Sequence, residues 1–162
     1  MNNTSSMKPG GLDRSAAALA PAPAPLGAYR RVIAHDGLVW LSGMLPLRDG
    51  RPAWTGTLGD DCSVEDGIAA ARLAAENAVA ALYADLGSLA HLRVVRLGVY
   101  LRTTPTFTDH PRVADAASLR VRELLGARAE HTRLVFGVAS LPGGMPVELE
   151  VVCMVSVQRT AS

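Results

Sequence analysis

The 162-residue chain has few aromatic residues and almost no net charge. Phenylalanine, tryptophan and tyrosine make up 4% of it, so a surface on which nucleic-acid bases could stack is poorly supplied. The 16 basic and 15 acidic residues leave a formal charge of +1. Such a balance lacks the positive surface of a nucleic-acid-binding protein and the basic cluster that attracts anionic membranes. These shortages argue against nucleic acid and membrane partners.

Cysteine is also scarce. Cys62 and Cys153 are too few for a disulfide framework, and neither belongs to a C-x-x-C pair. We interpret both as reduced thiols of a cytoplasmic protein. Cys62 precedes a predicted helix, whose dipole would favour a thiolate, but no base accompanies it, so an inert role is the better interpretation. The histidines lack the spacing of metal ligands, and no metal site is predicted. They are His35, His91, His110 and His131.

Long apolar runs and common catalytic motifs are missing. No stretch approaches the roughly 18 uninterrupted apolar residues that a membrane-spanning helix needs. The sequence contains no P-loop, no G-x-G-x-x-G, no G-x-S-x-G and no H-E-x-x-H, so no cofactor is expected. Residues 1–25, which end in an alanine- and proline-rich stretch, are predicted to form a flexible arm. Residues 26–162 are predicted to form a single domain.

The chain does contain a regular series of strand and helix signals. Asp36-Gly37 and Asp49-Gly50 each lie between β-rich or apolar runs, where a hairpin turn requires residues that accept positive φ. Ser63 is a predicted helix N-cap, and Gly87 is the matching C-terminal stop. Further signals predict strands over residues 91–101, 132–140 and 146–157, and a helix over residues 111–126. This order predicts an α+β sandwich of one mixed sheet with two helices on one face. Apolar residues on the other face indicate burial in an oligomer.

Two charged residues stand out in otherwise apolar strands. Arg133 is either a solvated strand end or a guanidinium that grips a planar carboxylate. Glu148 belongs to an exposed sheet face, forms an ion pair with Arg133, or acts as a general acid and base beside a bound water. From the pattern alone, the structural interpretation is favoured for both residues.

Three groups of segments occur in the same order and at the same spacing as in a known family. The first is Ala28-Tyr29 with the later run LSGMLP at 41–46. The second is AARLAAEN at 70–77 followed by LGSL at 86–89. The third is Thr132-Arg133, then VASLP at 138–142 and VELE at 147–150. Together they resemble the reactive intermediate deaminase A (RidA, or YjgF-like) family over about residues 26–157. Residues 59–75 and 107–125 are most similar to a less characterised branch of it.

The resemblance implies a chorismate-mutase-like fold assembled as a homotrimer, with the sheets facing the interior and clefts between subunits. It also implies hydrolysis of a 2-imino acid or its enamine tautomer to a keto acid and ammonia, without a metal or cofactor. By analogy, Arg133 would hold the substrate carboxylate and Glu148 would orient or activate water. Tyr29 would close the pocket from the neighbouring chain, and Ser42 and Gly43 would line its wall.

The chain departs from the family pattern at three positions. Met44 replaces the usual glutamine, Val135 replaces a common cysteine, and Asp115 replaces the asparagine of the similar branch. Met44 and Val135 predict a more apolar pocket, which bears on the substrate more than on the fold. Other hypotheses are a pathway-specific tautomerase or hydrolase on the same scaffold, and a non-enzymatic small-acid-binding or chaperone-like trimer. The endoribonuclease activity attached to the family name receives little support from the charge and aromatic content.

Overall fold

A five-stranded mixed sheet, ordered β1-β2-β7-β5-β6, carries two helices on one face. The computed structural model describes residues 19–155. Only the β5–β6 pair is parallel among the described strand pairs. This is the predicted α+β architecture. The elements in chain order are β1 Val32–His35, β2 Leu38–Met44, β3 Leu47–Arg48, β4 Arg51–Pro52, α1 Val64–Leu86, β5 Leu92–Arg102, α2 His110–Leu125, β6 Thr132–Val138 and β7 Val147–Val155.

Two tight turns form where the sequence predicts them. Asp36 and Gly37 have φ values of 48° and 80° between β1 and β2. Asp49 and Gly50 have φ values of 52° and 74° between β3 and β4. Both positions of each turn are left-handed, which is the geometry that matches the twist of a two-residue hairpin. The prediction of both hairpins is confirmed.

The first helix is capped at both ends as predicted. The Ser63 hydroxyl accepts a hydrogen bond from the Asp66 backbone N–H at 3.0 Å, and Gly87 ends α1 with φ of 74°. Six alanines on one side of α1 are at most 1% exposed, which lets the helix backbone lie close to the sheet. They are Ala70, Ala71, Ala74, Ala75, Ala78 and Ala81. The second helix has Pro111 in its first turn, a position that tolerates a residue without an N–H.

The two faces of the sheet differ sharply in exposure. The face under the helices is formed by core residues such as Val39, Leu97 and Leu149, each 0% exposed. The opposite face, called here the open face, exposes large apolar side chains. These are Ile33, Leu38, Trp40, Leu134, Phe136 and Met154. No helix within residues 19–155 is long and apolar enough to cross a bilayer.

Part of the predicted N-terminal arm lies against the domain. Leu19 and Ala22 contact the hydrophobic core, and the Pro23 carbonyl accepts a hydrogen bond from Arg31 at 2.9 Å. Arg31 also donates two hydrogen bonds to the Asp85 carboxylate of α1, at 2.6 and 3.0 Å. Residues 1–18, and the predicted end of the last strand at 156–157, lie outside the described residues. The domain boundary at residue 26 stays a prediction.

One buried amide fastens the connection that follows β2. Asn77 of α1 is 4% exposed, and its Nδ2 donates to the carbonyls of Leu45 and Leu47, each at 2.9 Å. These carbonyls belong to a buried segment that continues directly from β2. Asn77 therefore fixes the path of the chain immediately after Gly43 and Met44.

We expect Asn77→Leu to lower the free energy of unfolding by about 1–3 kcal/mol, because two buried carbonyls lose their donor. Chemical denaturation at neutral pH measures this change. Asn77→Asp is the companion variant, since its carboxylate keeps the shape but cannot donate. Protonation restores one donor, so the Asp variant should regain stability as the pH falls. Wild-type stability in the Leu variant would contradict the assigned role.

Candidate functional site

Arg133 extends from the edge strand β6 toward α2. Its Nη1 donates to Asp115 Oδ1 at 2.6 Å and to Ser118 Oγ at 3.1 Å. The side chain is 25% exposed, and its Nε and Nη2 make no hydrogen bond within the described residues. An open groove beside it is also lined by Leu119, Arg122 and His131. The guanidinium is therefore paired with an acid on one side and retains donors for a second anion.

Val135, two residues further along β6, points to the same side of the sheet. It is half-buried and contacts the hydrophobic core rather than the open face. The register explains this, because Arg133 and Val135 lie beside Leu97 and Val99 of β5, which are fully buried. Side chains at alternate positions share one face of a strand.

Glu148 lies on the open face of β7. Its neighbours Val147 and Leu149 are 0% exposed on the helix side, and its register partner on β5 is Tyr100. Burial raises the pKa of the Glu148 carboxyl. An open groove beside the carboxyl is also lined by Gly43, Tyr100, Leu141, Leu149 and Glu150. A carboxyl that holds its proton more tightly than usual is suited to exchange protons with a bound molecule.

The absence of a side chain at Gly43 makes room for Glu148. A Cβ on Gly43 would lie 1.9 Å from Glu148 Oε1 and 2.9 Å from its carboxyl carbon. Contacts this short do not occur between real atoms, so any larger residue must displace the carboxyl. Gly43 and Glu148 are thus one structural unit across the β2–β7 pair.

Tyr29 lies at the same end of β2. It is 48% exposed, and its hydroxyl accepts a hydrogen bond from the Leu26 backbone N–H at 3.2 Å. Tyr29, Gly43 and Met44 line a small cleft together with residues 23–26. Met44 is 6% exposed. The Ser42 hydroxyl donates a hydrogen bond to the Arg30 carbonyl at 2.8 Å, so its proton is already engaged by the backbone.

The predicted site residues therefore fall into two separate groups. Arg133 and Val135 lie on the helix side of β6, whereas Glu148 and Gly43 lie on the open face. Tyr29 and Met44 line the cleft that reaches Gly43. Within one chain the sheet stands between the guanidinium and the carboxyl.

Three further polar residues belong to these grooves and were not among the predicted site residues. Tyr100 donates its hydroxyl proton to Glu150 Oε2 at 3.4 Å, and Ser118 contacts His131 Nε2 at 3.0 Å. The sequence signal for Tyr100 was its polar hydroxyl within the otherwise apolar end of β5. Ser118 and His131 meet only through the packing of α2 beside β6, and no spacing in the sequence indicates that contact.

Both cysteines are buried free thiols with raised pKa values. Burial, with Asp66 and Asp61 nearby, raises the pKa of Cys62 to about 11. Burial raises the pKa of Cys153 to about 12. Both thiols therefore hold their protons at neutral pH, as the inert interpretation of Cys62 requires. Within residues 19–155, no group of three or more His, Cys, Asp or Glu side chains has the geometry to hold a metal ion.

We expect Gly43→Ala to fold and to lose stability through its clash with Glu148. Removing the carboxyl relieves that clash, so adding Glu148→Ala should recover part of the lost thermal stability. A double-mutant cycle by thermal denaturation measures the coupling, which we expect at about 0.5–3 kcal/mol for groups in contact. Strict additivity of the two substitutions would contradict this packing.

Comparisons with known proteins agree with this architecture. The sequence profile of the family described as "YjgF/chorismate mutase-like, putative endoribonuclease" matches residues 12–158. Protein TCP17 of Trypanosoma cruzi is 36% identical over 141 residues, which cover 86% of this chain and 88% of TCP17.

Solved structures give the same assignment. A "putative endoribonuclease" from Shewanella oneidensis superposes with a TM-score of 0.83 at 28% identity, over 90% of this chain and all (100%) of that one. RidA from an Antarctic Psychrobacter superposes with a TM-score of 0.56 at 26% identity, over 83% of this chain and 94% of that one. The chain belongs to the YjgF/chorismate mutase-like family, in which RidA is also found.

Proposed function

We propose that this protein is a hydrolytic deaminase of reactive 2-imino acids and their enamine tautomers, acting in clefts shared by two copies of the chain. The observation that carries the proposal is the pair of grooves on opposite faces of the sheet, one beside Arg133 and one beside Glu148. One supplies a cation for a carboxylate and the other an acid–base group. The similarity to RidA supports this chemistry.

In the proposed reaction, Arg133 anchors the substrate carboxylate. A guanidinium binds a planar carboxylate through two parallel hydrogen bonds, and Nε with Nη2 forms one such pair of donors. Nη1 stays with Asp115 and Ser118, so these contacts hold the guanidinium plane in a fixed orientation. The imine carbon is thereby held in one position relative to the water that attacks it.

Glu148 moves the protons in this proposal. As the water oxygen bonds to the carbon of the protonated imine, Glu148 takes a proton from that water. It then gives the proton to the nitrogen of the resulting carbinolamine. The carbon–nitrogen bond breaks as the hydroxyl oxygen forms the carbonyl and its proton passes to Glu148. Glu148 then gives this proton to the departing ammonia, so an ammonium ion and a keto acid leave. The raised pKa of Glu148 suits both steps, because a carboxylate that binds a proton more tightly than usual is the better base toward water and can then return that proton to nitrogen.

The two groups meet only if a second copy contributes one of them. A β-strand alternates its side chains between faces, so Arg133 and Glu148 of one chain point away from each other. We propose a homotrimer in which the open face of one copy receives the β6 edge of the next. The exposed apolar residues of the open face, Trp40 and Phe136 among them, then become buried. Tyr29, Ser42, Met44 and Val135 are proposed to line the shared cleft.

The first test uses 2-iminopropionate, generated in the cuvette by an amino-acid oxidase, with semicarbazide trapping the remaining imine. Wild-type protein should accelerate release of the keto acid. Arg133→Ala should lower kcat/KM by roughly ten- to a hundredfold, which corresponds to loss of charged hydrogen bonds worth about 1.5–3 kcal/mol. Arg112→Ala is the matched control, because Arg112 also pairs with one helical carboxylate, that of Glu65 at 3.0 Å.

Co-expression of two impaired variants tests the shared cleft directly. Arg133→Ala and Glu148→Gln should each have strongly reduced activity alone. Mixed assemblies contain some clefts with an intact Arg133 from one copy and an intact Glu148 from the other, so part of the activity should return. Absence of recovery in mixed assemblies proven by mass spectrometry would exclude the shared cleft. Carboxylate binding without imine turnover would favour a small-acid-binding trimer instead.

The pH profile tests the role of Glu148 separately. Since burial raises its pKa, the acidic limb of kcat/KM should rise at a pH above that of an ordinary glutamate. Activity should increase with pH through this limb, because the carboxylate is the form that accepts the proton from water. Glu148→Gln should remove the limb together with most of the rate. An unchanged profile in this variant would assign the acid–base role to another group.

A further inference from the structure

A continuous chain of hydrogen bonds runs along the groove beside Arg133. It joins Asp115, Arg133, Ser118 and His131, and it ends at the backbone carbonyl of Ala129. Ser118 lies on α2, and His131 lies just before β6, so the two elements meet at these side chains.

The partners fix the direction of each hydrogen bond. The Ala129 carbonyl can only accept, so His131 Nδ1 carries the proton that joins them. In the neutral ring, Nε2 is then an acceptor, and Ser118 donates its hydroxyl proton to it at 3.0 Å. A guanidinium can only donate, so Ser118 Oγ accepts from Arg133 Nη1 at 3.1 Å.

This arrangement is that of an activated serine nucleophile. The hydroxyl is hydrogen-bonded to a base, and a third group holds the base in its reactive tautomer. The Arg133 charge next to Oγ stabilises negative charge that develops on that oxygen. The serine is partly exposed and lines an open groove, so a small substrate can reach it.

We propose that Ser118 and His131 form a catalytic dyad that hydrolyses small esters carrying a carboxylate. Arg122 and Arg133 line the groove and provide positive charge for that carboxylate. Leu119, 50% exposed on the same groove, offers an apolar surface for a short carbon spacer. Monoesters of short dicarboxylic acids combine these features. This activity goes beyond the proposed deaminase, and it requires neither Glu148 nor a second copy.

The reaction proceeds in two steps. Ser118 Oγ bonds to the ester carbonyl carbon while its proton passes to His131 Nε2. The bond to the alcohol oxygen then breaks, and His131 returns the proton to the departing alcohol, leaving an acyl-serine. Water attacks that acyl group, giving a proton to His131 and forming a new carbon–oxygen bond. The bond between the acyl carbon and Ser118 Oγ then breaks, His131 returns the proton to Oγ, and the free dicarboxylic acid leaves.

The test uses the mono-p-nitrophenyl ester of succinic acid. Wild-type protein should release nitrophenolate, and quenched samples should carry one succinyl group on the peptide containing Ser118. Ser118→Ala should abolish both signals. His131→Asn keeps a side-chain N–H for the Ala129 carbonyl but removes the base, so it should lower the rate about a hundredfold or more. Ser140→Ala, an exposed serine outside the groove, is the control.

Several outcomes would overturn the dyad. It would be contradicted if the succinyl group were found on another residue, or if Ser118→Ala hydrolysed the ester at the wild-type rate. It would also be contradicted if the wild-type protein hydrolysed p-nitrophenyl acetate as fast as the succinate ester. A fluorophosphonate probe on the wild-type protein gives an answer even where a variant fails to fold. If the contacts only fasten α2 to β6, the probe will leave Ser118 unmodified. Turnover of imine but not of ester by the same preparation would reject the dyad while leaving the deaminase proposal intact.

Discussion

The two-residue alternation of β-strand side chains is the constraint on which the geometry of the candidate site depends. β5 pairs with β6 in parallel and with β7 antiparallel. Arg133 lies beside Leu97 and therefore on the helix side of the sheet, whereas Glu148 lies beside Tyr100 and therefore on the open face. A shift of register by one residue would exchange the faces. The buried residues of β7, and the half-buried Val135 of β6 that packs against the core, oppose such a shift, so they keep the guanidinium and the carboxyl on separate faces.

Small residues let polar groups occupy positions that larger side chains would fill. Gly43 leaves space for the Glu148 carboxyl, and the alanines of α1 bring Asn77 close enough to hold the segment after β2. The helix packing and the position of the Glu148 carboxyl are therefore linked through one short stretch of chain, residues 43–47. Because α1 presents alanines rather than large side chains to the sheet, the stability of this packing depends on how closely the helix and the sheet approach.

Local sequence signals predicted the helices, strands and turns. The arrangement of the candidate site depends on tertiary contacts, which those signals do not contain. The Asp36-Gly37 turn and the Ser63 cap depend on adjacent residues, so the sequence was sufficient for them. The strand order was not available from local pattern, because β7 inserts between β2 and β5. The family resemblance identified Arg133 and Glu148 as a pair, but only the register reveals their opposite faces. The contact between Ser118 and His131 depends entirely on how α2 lies beside β6.

In the proposed assembly, burial would serve both stability and catalysis. Covering the open face removes Trp40 and Phe136 from water, which favours association in proportion to the apolar area buried. The same step removes water from Glu148, whose pKa burial already raises in the single chain. Further desolvation would raise this pKa again, toward the range in which a carboxyl exchanges protons most effectively. Since desolvating a carboxylate costs free energy, the apolar contacts must offset that cost. Trp40 and Phe136 share the open face with the two acids Glu148 and Glu150, so one association step would bury the apolar side chains and the carboxyls together.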